Sequence, residues 1–233
     1  MAYPTKIATI ALVSLLSISA HATPAALNVT VENMAPNSVI SERYTLCTPT
    51  ADGKSEKVKG SLRPTIRWSG VPKDTASIAV FMMDPDVPAD FTDADKEGKT
   101  LPEHMKRMDF YHYGVVDLPA TATELAGGDA ATPPTIGTEL VNDLGLNGYV
   151  DPKSRYGGPC PPWNDERLHH YHFIVLALDN GAPISVPGVG VGIAPADRSD
   201  TAKNTFYRLI DSKYLLAKGA AVGTYTLNPK LRK

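Results

Sequence analysis

Residues 156–172 read YGGPCPPWNDERLHHYH and run directly into the apolar stretch FIVLAL at residues 173–178. The first half predicts a loop, because glycine lets the backbone approach other groups closely and proline fixes φ and stiffens the chain. The second half predicts a strand, since a short apolar run that follows turn residues is typical of a buried strand. A rigid loop that enters a buried strand can hold amides and imidazoles in a set geometry.

Alternation along the predicted strand separates its histidines. Successive side chains of a strand point to opposite faces of the sheet. His169 and Tyr171 would therefore share one face, while His170 and His172 share the other. One histidine of the group can line a pocket without its neighbours.

Composition indicates one globular domain that does not bind nucleic acid. A chain of 233 residues with 42% hydrophobic residues can bury a sizeable core. The formal net charge is −2, and the lysines are scattered along the sequence. Binding to nucleic acid depends on clustered basic side chains that neutralise phosphates, so this class of partner is excluded.

The N-terminus has the pattern of an export signal. Lys6 precedes an apolar run at residues 7–20, which ends in the small-x-small sequence Ala20-His21-Ala22. The run is shorter than the roughly 20 residues that a membrane-spanning helix needs. We therefore expect residues 1–22 to be cleaved, and residues 23–233 to form one domain in the periplasm or outside the cell, without a transmembrane anchor.

The chain contains two cysteines, Cys47 and Cys160. In an oxidising compartment such a pair is a candidate for a disulfide. Two separate buried thiols remain the alternative, because sequence does not give the distance between the Cα atoms.

The rest of the chain predicts a mostly β protein with a few peripheral helices. Apolar runs or alternation, bounded by turn residues, mark further strands; these lie at residues 27–31, 44–47, 64–68, 77–83, 110–117 and 224–227. The strand at 77–83 is almost continuously apolar, as expected of a strand covered on both faces. Apolar residues at helical spacing predict one helix over 201–218, with Gly219 as its stop.

The buried strand at 77–83 leads into Asp84-Pro85-Asp86-Val87-Pro88. Because a proline restricts the residue before it to extended conformations, this sequence predicts a rigid elbow that carries two carboxylates. A solvated turn is the alternative, since Asp and Pro are common turn residues. The charged residues 89–108 then form a loop insertion, and residues 120–155 form a long connection of the kind that often shapes a site.

These stretches together resemble the phosphatidylethanolamine-binding protein family, and most closely its bacterial Raf-kinase-inhibitor-like branch. The resemblance covers residues 27–229 and keeps the order and spacing of the motifs. The motifs are WSGVP at 68–72, DPDVP at 84–88, FYHYGVV at 110–116, GGPCPP at 157–162 and H-x-Y at 169–171. The resemblance implies a β-sandwich of two antiparallel sheets and a small pocket for an anion such as the phosphate of a head group.

The resemblance also implies which residues form the pocket. The residues that it assigns are Asp84, His112, His169 and Tyr171, with Asp86 and Pro88 at the elbow and Gly158, Pro159 and Pro161 in one wall. Many members have arginine after the histidine of the last motif, whereas this chain has His170, so the salt bridge that this arginine would make is not expected here. The insertion 89–108 and the residues 163–166 resemble an exported subgroup and are expected to alter access to the pocket.

The residue types suit an anion. Imidazolium and tyrosine hydroxyl groups donate hydrogen bonds to phosphate oxygens, and glycine amides can approach closely. An ionised Asp84 would repel phosphate, so we expect it instead to hold His112 or His169 charged and oriented. The sequence thus predicts a non-enzymatic protein that binds phosphate or phosphorylethanolamine and needs no cofactor.

Two other functions remain open. Two aspartates and two histidines could ligate a metal or act as general acid and base in a hydrolase, although no H-E-x-x-H, G-x-S-x-G or Walker motif is present. The protein could also act through protein contacts, for example by inhibiting a protease. In that case the charged insertion 89–108 would matter more than the pocket.

Overall fold

In a computed structural model, described here for residues 24–150, 155–180 and 201–232, the chain is built mainly from antiparallel strands. The strands are β1 (Ala25–Ala26), β2 (Asn28–Val31), β3 (Cys47–Pro49), β4 (Ser55–Lys57), β5 (Leu62–Arg63), β6 (Ile66–Ser69), β7 (Ser77–Pro88), β8 (Arg107–Pro119), β9 (Glu124–Leu125), β10 (Gly128–Asp129), β11 (Thr138–Glu139), β12 (His169–Leu178) and β13 (Leu215–Tyr225). The helices are α1 (Asp143–Leu146), α2 (Ala202–Ile210) and a 3-10 turn at Glu42–Tyr44. The predicted export signal at 1–22 lies outside the described residues.

The main sheet has six strands in the order β1-β13-β12-β7-β8-β11. All its pairings are antiparallel except that of β1 with β13. A second sheet has the order β2-β6-β9, and the pairs β5-β10 and β3-β4 are separate. The prediction of a mostly β fold with few helices is confirmed.

Both faces of the main sheet are buried. One face packs against the second sheet, where Ile66, Trp68 and Leu125 share a cluster with Val80 and Phe173. The other face packs against α2, whose buried side chains include Phe206 and Leu209. Residues 78–82 of β7 are consequently fully buried on both sides, as their unbroken apolar sequence predicts.

The predicted helix at 201–218 is only half correct. Thr201 caps α2 by accepting a hydrogen bond from the amide of Asn204, and the helix ends at Ile210. Leu215 then begins β13, which pairs with β12 and in which the side chain of Leu215 is buried. Gly219 is not a helix stop: a β-carbon there would lie 2.2 Å from the carbonyl oxygen of Leu27, so glycine allows two backbones to touch.

The long connection 120–155 contains β9, β10, β11 and α1 rather than loop alone. Asn142 caps α1 by accepting from the amide of Gly145, and its own amide donates to the carbonyl of His112 on β8. The short helix is thereby fixed to the main sheet at one end, close to the residues of the predicted pocket. None of the helices within residues 24–150, 155–180 and 201–232 is long and apolar enough to cross a bilayer.

Candidate functional site

A cavity of about 540 Å³ opens at the end of the main sheet where β7 ends and β8 and β12 begin. This size is typical of sites for small ligands. Its wall is mostly apolar, with a few polar groups at one end. The lining residues are Leu46, Asp84, Val87, Phe91, Ala94, Asp95, Met108, Phe110, His112, Leu144, Asn147, Tyr149, Cys160, Pro161, Pro162, His169 and Tyr171.

His169 is held between two carboxylates. Its Nδ1 lies 2.7 Å from Oδ2 of Asp84, and its Nε2 lies 3.2 Å from Oδ2 of Asp165. Ionised carboxylates only accept, so both ring nitrogens carry protons and His169 is an imidazolium. Burial alone would lower the pKa of His169, but Asp84 and Asp165 outweigh burial and raise it to about 9. Both nitrogens therefore have partners within the protein.

Arg107 extends this network away from the cavity. Its guanidinium forms a two-point pair with Asp165, with N–O distances of 2.6 and 2.9 Å, and donates to the backbone carbonyls of Asp86 and Pro102. Burial would raise the pKa of Asp165, but hydrogen bonds from His169 and Arg107 lower it below its usual range. Arg107, Asp165, His169 and Asp84 thus form a row of alternating charges whose sum is zero.

His112 has one free ring nitrogen. Its Nδ1 lies 2.9 Å from the carbonyl oxygen of Gly157, which can only accept, so Nδ1 carries the proton. Its Nε2 is buried and has no hydrogen-bond partner among the described residues. Burial lowers the pKa of His112, and Asp84 only partly opposes this effect. Of the two histidines that Asp84 was expected to keep charged, the structure favours His169.

Tyr171 adds a second buried polar atom. Its ring packs edge-on against His112, and its hydroxyl lies near the carboxylate of Asp84 but makes no hydrogen bond of normal geometry in the part of the chain that the structure describes. Burial and the charge of Asp84 raise the pKa of Tyr171 well above its ordinary value. The hydroxyl therefore stays protonated and can donate to a ligand.

Asp86 faces away from the cavity. Its carboxylate pairs with Nε of Arg167 at 2.5 Å and with Nδ1 of His170 at 2.8 Å. Burial opposes ionisation, but hydrogen bonds from Arg167 and His170 lower the pKa of Asp86. The carboxylate of Asp86 is thus held by the guanidinium of Arg167 and by hydrogen bonds from His170, and His170 points away from His169 as strand alternation predicts. Pro88 pairs with Arg107 at the end of β7 and does not line the cavity.

The glycine-proline loop forms one wall of the cavity through Cys160, Pro161 and Pro162. Gly158 and Pro159 lie behind that wall: a β-carbon on Gly158 would lie 2.1 Å from the carbonyl oxygen of Tyr44, and the carbonyl of Pro159 accepts from the amide of Leu46. A disulfide joins Cys160 to Cys47, with the Cα atoms 4.9 Å apart. The predicted bridge is confirmed, and the alternative of two separate thiols is wrong.

The insertion 89–108 contributes Phe91, Ala94 and Asp95 to the cavity wall and is bonded to residues 163–166, and these two segments together are called the entrance. The side chain of Asn164 is buried between them: its amide donates to the carbonyls of Asp93 and Lys99, and its oxygen accepts from the amide of Asp95. Phe91 and Asp95 of the insertion line the cavity. Burial raises the pKa of Asp95, with a hydrogen bond from the amide of Trp163 acting against this effect.

Sequence reasoning placed Asp84, His112, His169, Tyr171 and Pro161 in one pocket, and the structure brings these five together in the cavity wall. Their role in binding stays a prediction. Asp165 and Arg107 were missed. The available signal was the acidic residue four positions before His169, but no pattern in the sequence indicates that Asp165 turns inwards. No cluster of His, Cys, Asp and Glu within the described ranges has the arrangement of a metal site.

The fold and the cavity define a β-sandwich protein with a ligand-sized pocket at one end of its main sheet. A family model described as phosphatidylethanolamine-binding protein matches residues 30–226. The chain therefore belongs to the phosphatidylethanolamine-binding protein family.

Relatives of known sequence are similar over part of their length. The chain is 37% identical over 123 residues to the UPF0098 protein YbcL of Escherichia coli, an alignment that covers 51% of this chain and 54% of that protein. It is 32% identical over 130 residues to a UPF0098 protein of Aquifex aeolicus, covering 55% and 57%. The chain thus matches slightly more than half the length of these relatives.

Solved structures support the fold over most of the chain. The crystal structure of E. coli YbcL has a TM-score of 0.58 and 26% identity, and the match covers 87% of this chain and 99% of that chain. The phosphatidylethanolamine-binding protein homologue CT736 of Chlamydia trachomatis has a TM-score of 0.54 and 20% identity, with 86% and 97% covered. The second likeness concerns the fold alone.

Proposed function

We propose that this protein binds a small phosphate-bearing molecule in the cavity without changing it chemically. The observation that carries the proposal is the pair of buried polar atoms, Nε2 of His112 and the hydroxyl of Tyr171, which make no hydrogen bond of normal geometry with the described residues, although the hydroxyl lies near the carboxylate of Asp84. A buried polar atom without a partner costs about 1–3 kcal/mol, so a ligand that satisfies both atoms gains that energy. The apolar residues that line most of the cavity suit the organic part of such a molecule.

The state of His169 fits a positioning role better than the role of a general base. His169 donates from both nitrogens to carboxylates, so it has no free nitrogen with which to accept a proton from a reacting group. The imidazolium also balances the charge of Asp84, which lowers the repulsion that an isolated carboxylate would exert on a phosphate. We therefore assign the network a positioning role.

The proposal includes export of the protein from the cytoplasm. The N-terminal pattern at residues 1–22 is typical of a cleaved signal, and the disulfide between Cys47 and Cys160 is of a kind that persists mainly in oxidising compartments. Sequencing the N-terminus of the protein isolated from its native cells tests this step. A mature N-terminus near Thr23 is expected, and an intact Met1 would contradict export by cleavage.

Calorimetric titration with phosphorylethanolamine and with inorganic phosphate tests binding. Saturable binding is expected, weakened at least tenfold by Tyr171→Phe, because the substitution removes one donor and leaves the ring. Tyr113→Phe is the matched control, since that hydroxyl donates to Glu139 and does not line the cavity. Absence of binding at millimolar ligand, or equal loss in both variants, would overturn the proposal.

A further inference from the structure

We infer that the cavity selects phosphate monoesters in their singly protonated form over phosphate diesters and over the doubly ionised monoester. The inference rests on the proposed function and deepens it by naming the form of phosphate that fits. It follows from the hydrogen-bonding positions that the described residues leave open at the polar end of the cavity.

The first open position is an acceptor. Nδ1 of His112 donates to the carbonyl of Gly157 at 2.9 Å, so in the neutral ring Nε2 has a lone pair and no proton. A ligand atom satisfies this nitrogen only if it brings a hydrogen. The P–OH group of a singly protonated phosphate has one, whereas a diester and a doubly ionised monoester offer acceptors alone.

The groups that face His112 disfavour a second proton on its ring. Asp84 approaches from β7, and His169 and Tyr171 approach from β12. The carboxylate of Asp84 already accepts from Nδ1 of His169 and from the amide of Asp86. A proton on Nε2 would therefore create a second imidazolium beside the first, in a buried place, and burial together with His169 lowers the pKa of His112.

The second position is a donor, the hydroxyl of Tyr171, which lies near the carboxylate of Asp84 without a hydrogen bond of normal geometry to the described residues. The remaining charges of the wall are the imidazolium of His169 and the carboxylates of Asp84 and Asp95, and neither lysine nor arginine of the described residues lines the cavity. Each extra negative charge on a ligand is therefore disfavoured. One donor, one acceptor and a low tolerance for charge together match the monoanion of a phosphate monoester.

Titration with methyl phosphate and dimethyl phosphate at pH 5 and pH 8 tests the inference. At pH 5 methyl phosphate is expected to bind at least tenfold more tightly than dimethyl phosphate. Its affinity should fall about tenfold per pH unit above its second pKa, which for phosphate monoesters is about 6. Equal affinity for the two ligands at both pH values would overturn the inference alone, while absence of binding by both would overturn the proposed function with it.

Alkyl phosphonates with graded second pKa values show which free partner brings the proton into the complex. If the free ligand brings it, the pH at which affinity falls follows the pKa of the ligand. A fall at one fixed pH for the whole series would show that a group of the free protein brings the proton, and would overturn the inference. These measurements use the unaltered protein, so they test the preference for the singly protonated ligand without any effect of a substitution on folding.

Two variants separate selectivity from affinity. His112→Gln replaces the lone acceptor with an amide that can donate, so the preference for the monoester should shrink to less than threefold. Tyr171→Phe should weaken both ligands by similar factors and keep the preference. Thermal unfolding of both variants shows that they are folded, and a preference that persists in folded His112→Gln would contradict the role of Nε2.

Discussion

The carboxylate of Asp165 lies 3.2 Å from Nε2 of His169 and accepts a hydrogen bond from it, while the carboxylate of Asp84 accepts from Nδ1. A histidine at the polar end of a pocket would otherwise be available to a ligand. Here it serves as a fixed positive charge between two carboxylates, and ligand contacts are left to His112 and Tyr171.

Asp165→Asn is expected to lower the pKa of His169 from about 9 towards the ordinary value of about 6.5, because one of two stabilising carboxylates is lost. NMR titration of the imidazole measures this change. Asp95→Asn removes a cavity carboxylate that does not contact His169 and serves as the control. An unchanged titration of His169 in Asp165→Asn would show that Asp84 alone sets the charge.

Stability should fall as the pH rises from about 6.5 to about 9. The pKa of His169 is about 9 in the folded protein and about 6.5 in an unfolded chain, so folding binds a proton across this window. The stabilisation is fully present below pH 6.5 and is lost as the pH passes 9, by an amount on the order of 3 kcal/mol. Urea unfolding at pH 5.5, 7, 8 and 9 measures it, and His169→Gln should abolish the decline.

Removing the disulfide should destabilise the protein and loosen the cavity wall. Cys47 and Cys160 are 113 residues apart, and losing a bridge typically costs about 2–5 kcal/mol, partly because it restricts the unfolded chain. Urea unfolding of the double variant Cys47→Ala, Cys160→Ala measures the loss. Reductant should destabilise the unaltered protein and leave the double variant unaffected; a reductant effect on both would point to another cause.

Gly158→Ala should cost well over 3 kcal/mol or prevent folding, because its β-carbon would lie 2.1 Å from the carbonyl oxygen of Tyr44 and 2.7 Å from Cα of Thr45. Gly98→Ala is the matched control. Gly98 has φ of +71° and no atom near the position of a β-carbon, so alanine there pays only a backbone cost of about 1 kcal/mol. Comparable losses in the two variants, measured by urea unfolding, would contradict the close packing of the loop.

Asn164→Ala should release the insertion that forms the entrance. The loop loses the amide that holds the carbonyls of Asp93 and Lys99, so trypsin should cleave after Lys96 and Lys99 at least tenfold faster. Asn147→Ala is the control, since the side chain of that exposed asparagine donates to the carbonyl of Asp143 within α1 and does not contact the insertion in the described residues. Mass spectrometry of the fragments identifies the sites, and equal cleavage of both variants would argue against an anchoring role for Asn164.

Sequence reasoning was most reliable where one side chain or one strand decides the outcome. The apolar continuity of β7 and the alternation of His169 and Tyr171 gave correct placements, because both are local properties of a strand. The helix over 201–218 was extended too far, because pairing between β13 and β12 overrode a weak helical pattern.

The network around His169 could not be predicted for a different reason. Asp165 pairs with Arg107, which is 58 positions away and is brought close to Asp165 by the pairing of β8 and β12 with β7. The tautomer of His112 likewise depends on a backbone carbonyl that the loop brings into place. Long-range partners of this kind leave no periodic signal in the sequence.

The buried amide of Asn164 links two segments that are far apart in the sequence, and this has a consequence for how the entrance can change during evolution. A descendant that lost residues 89–106 alone would keep a buried amide with no partners, and one that lost residues 163–166 alone would leave the loop carbonyls unanchored. The two segments are therefore expected to be inherited or lost together. For the same reason, a protein engineer who transplants this entrance onto a related scaffold must move both as one cassette.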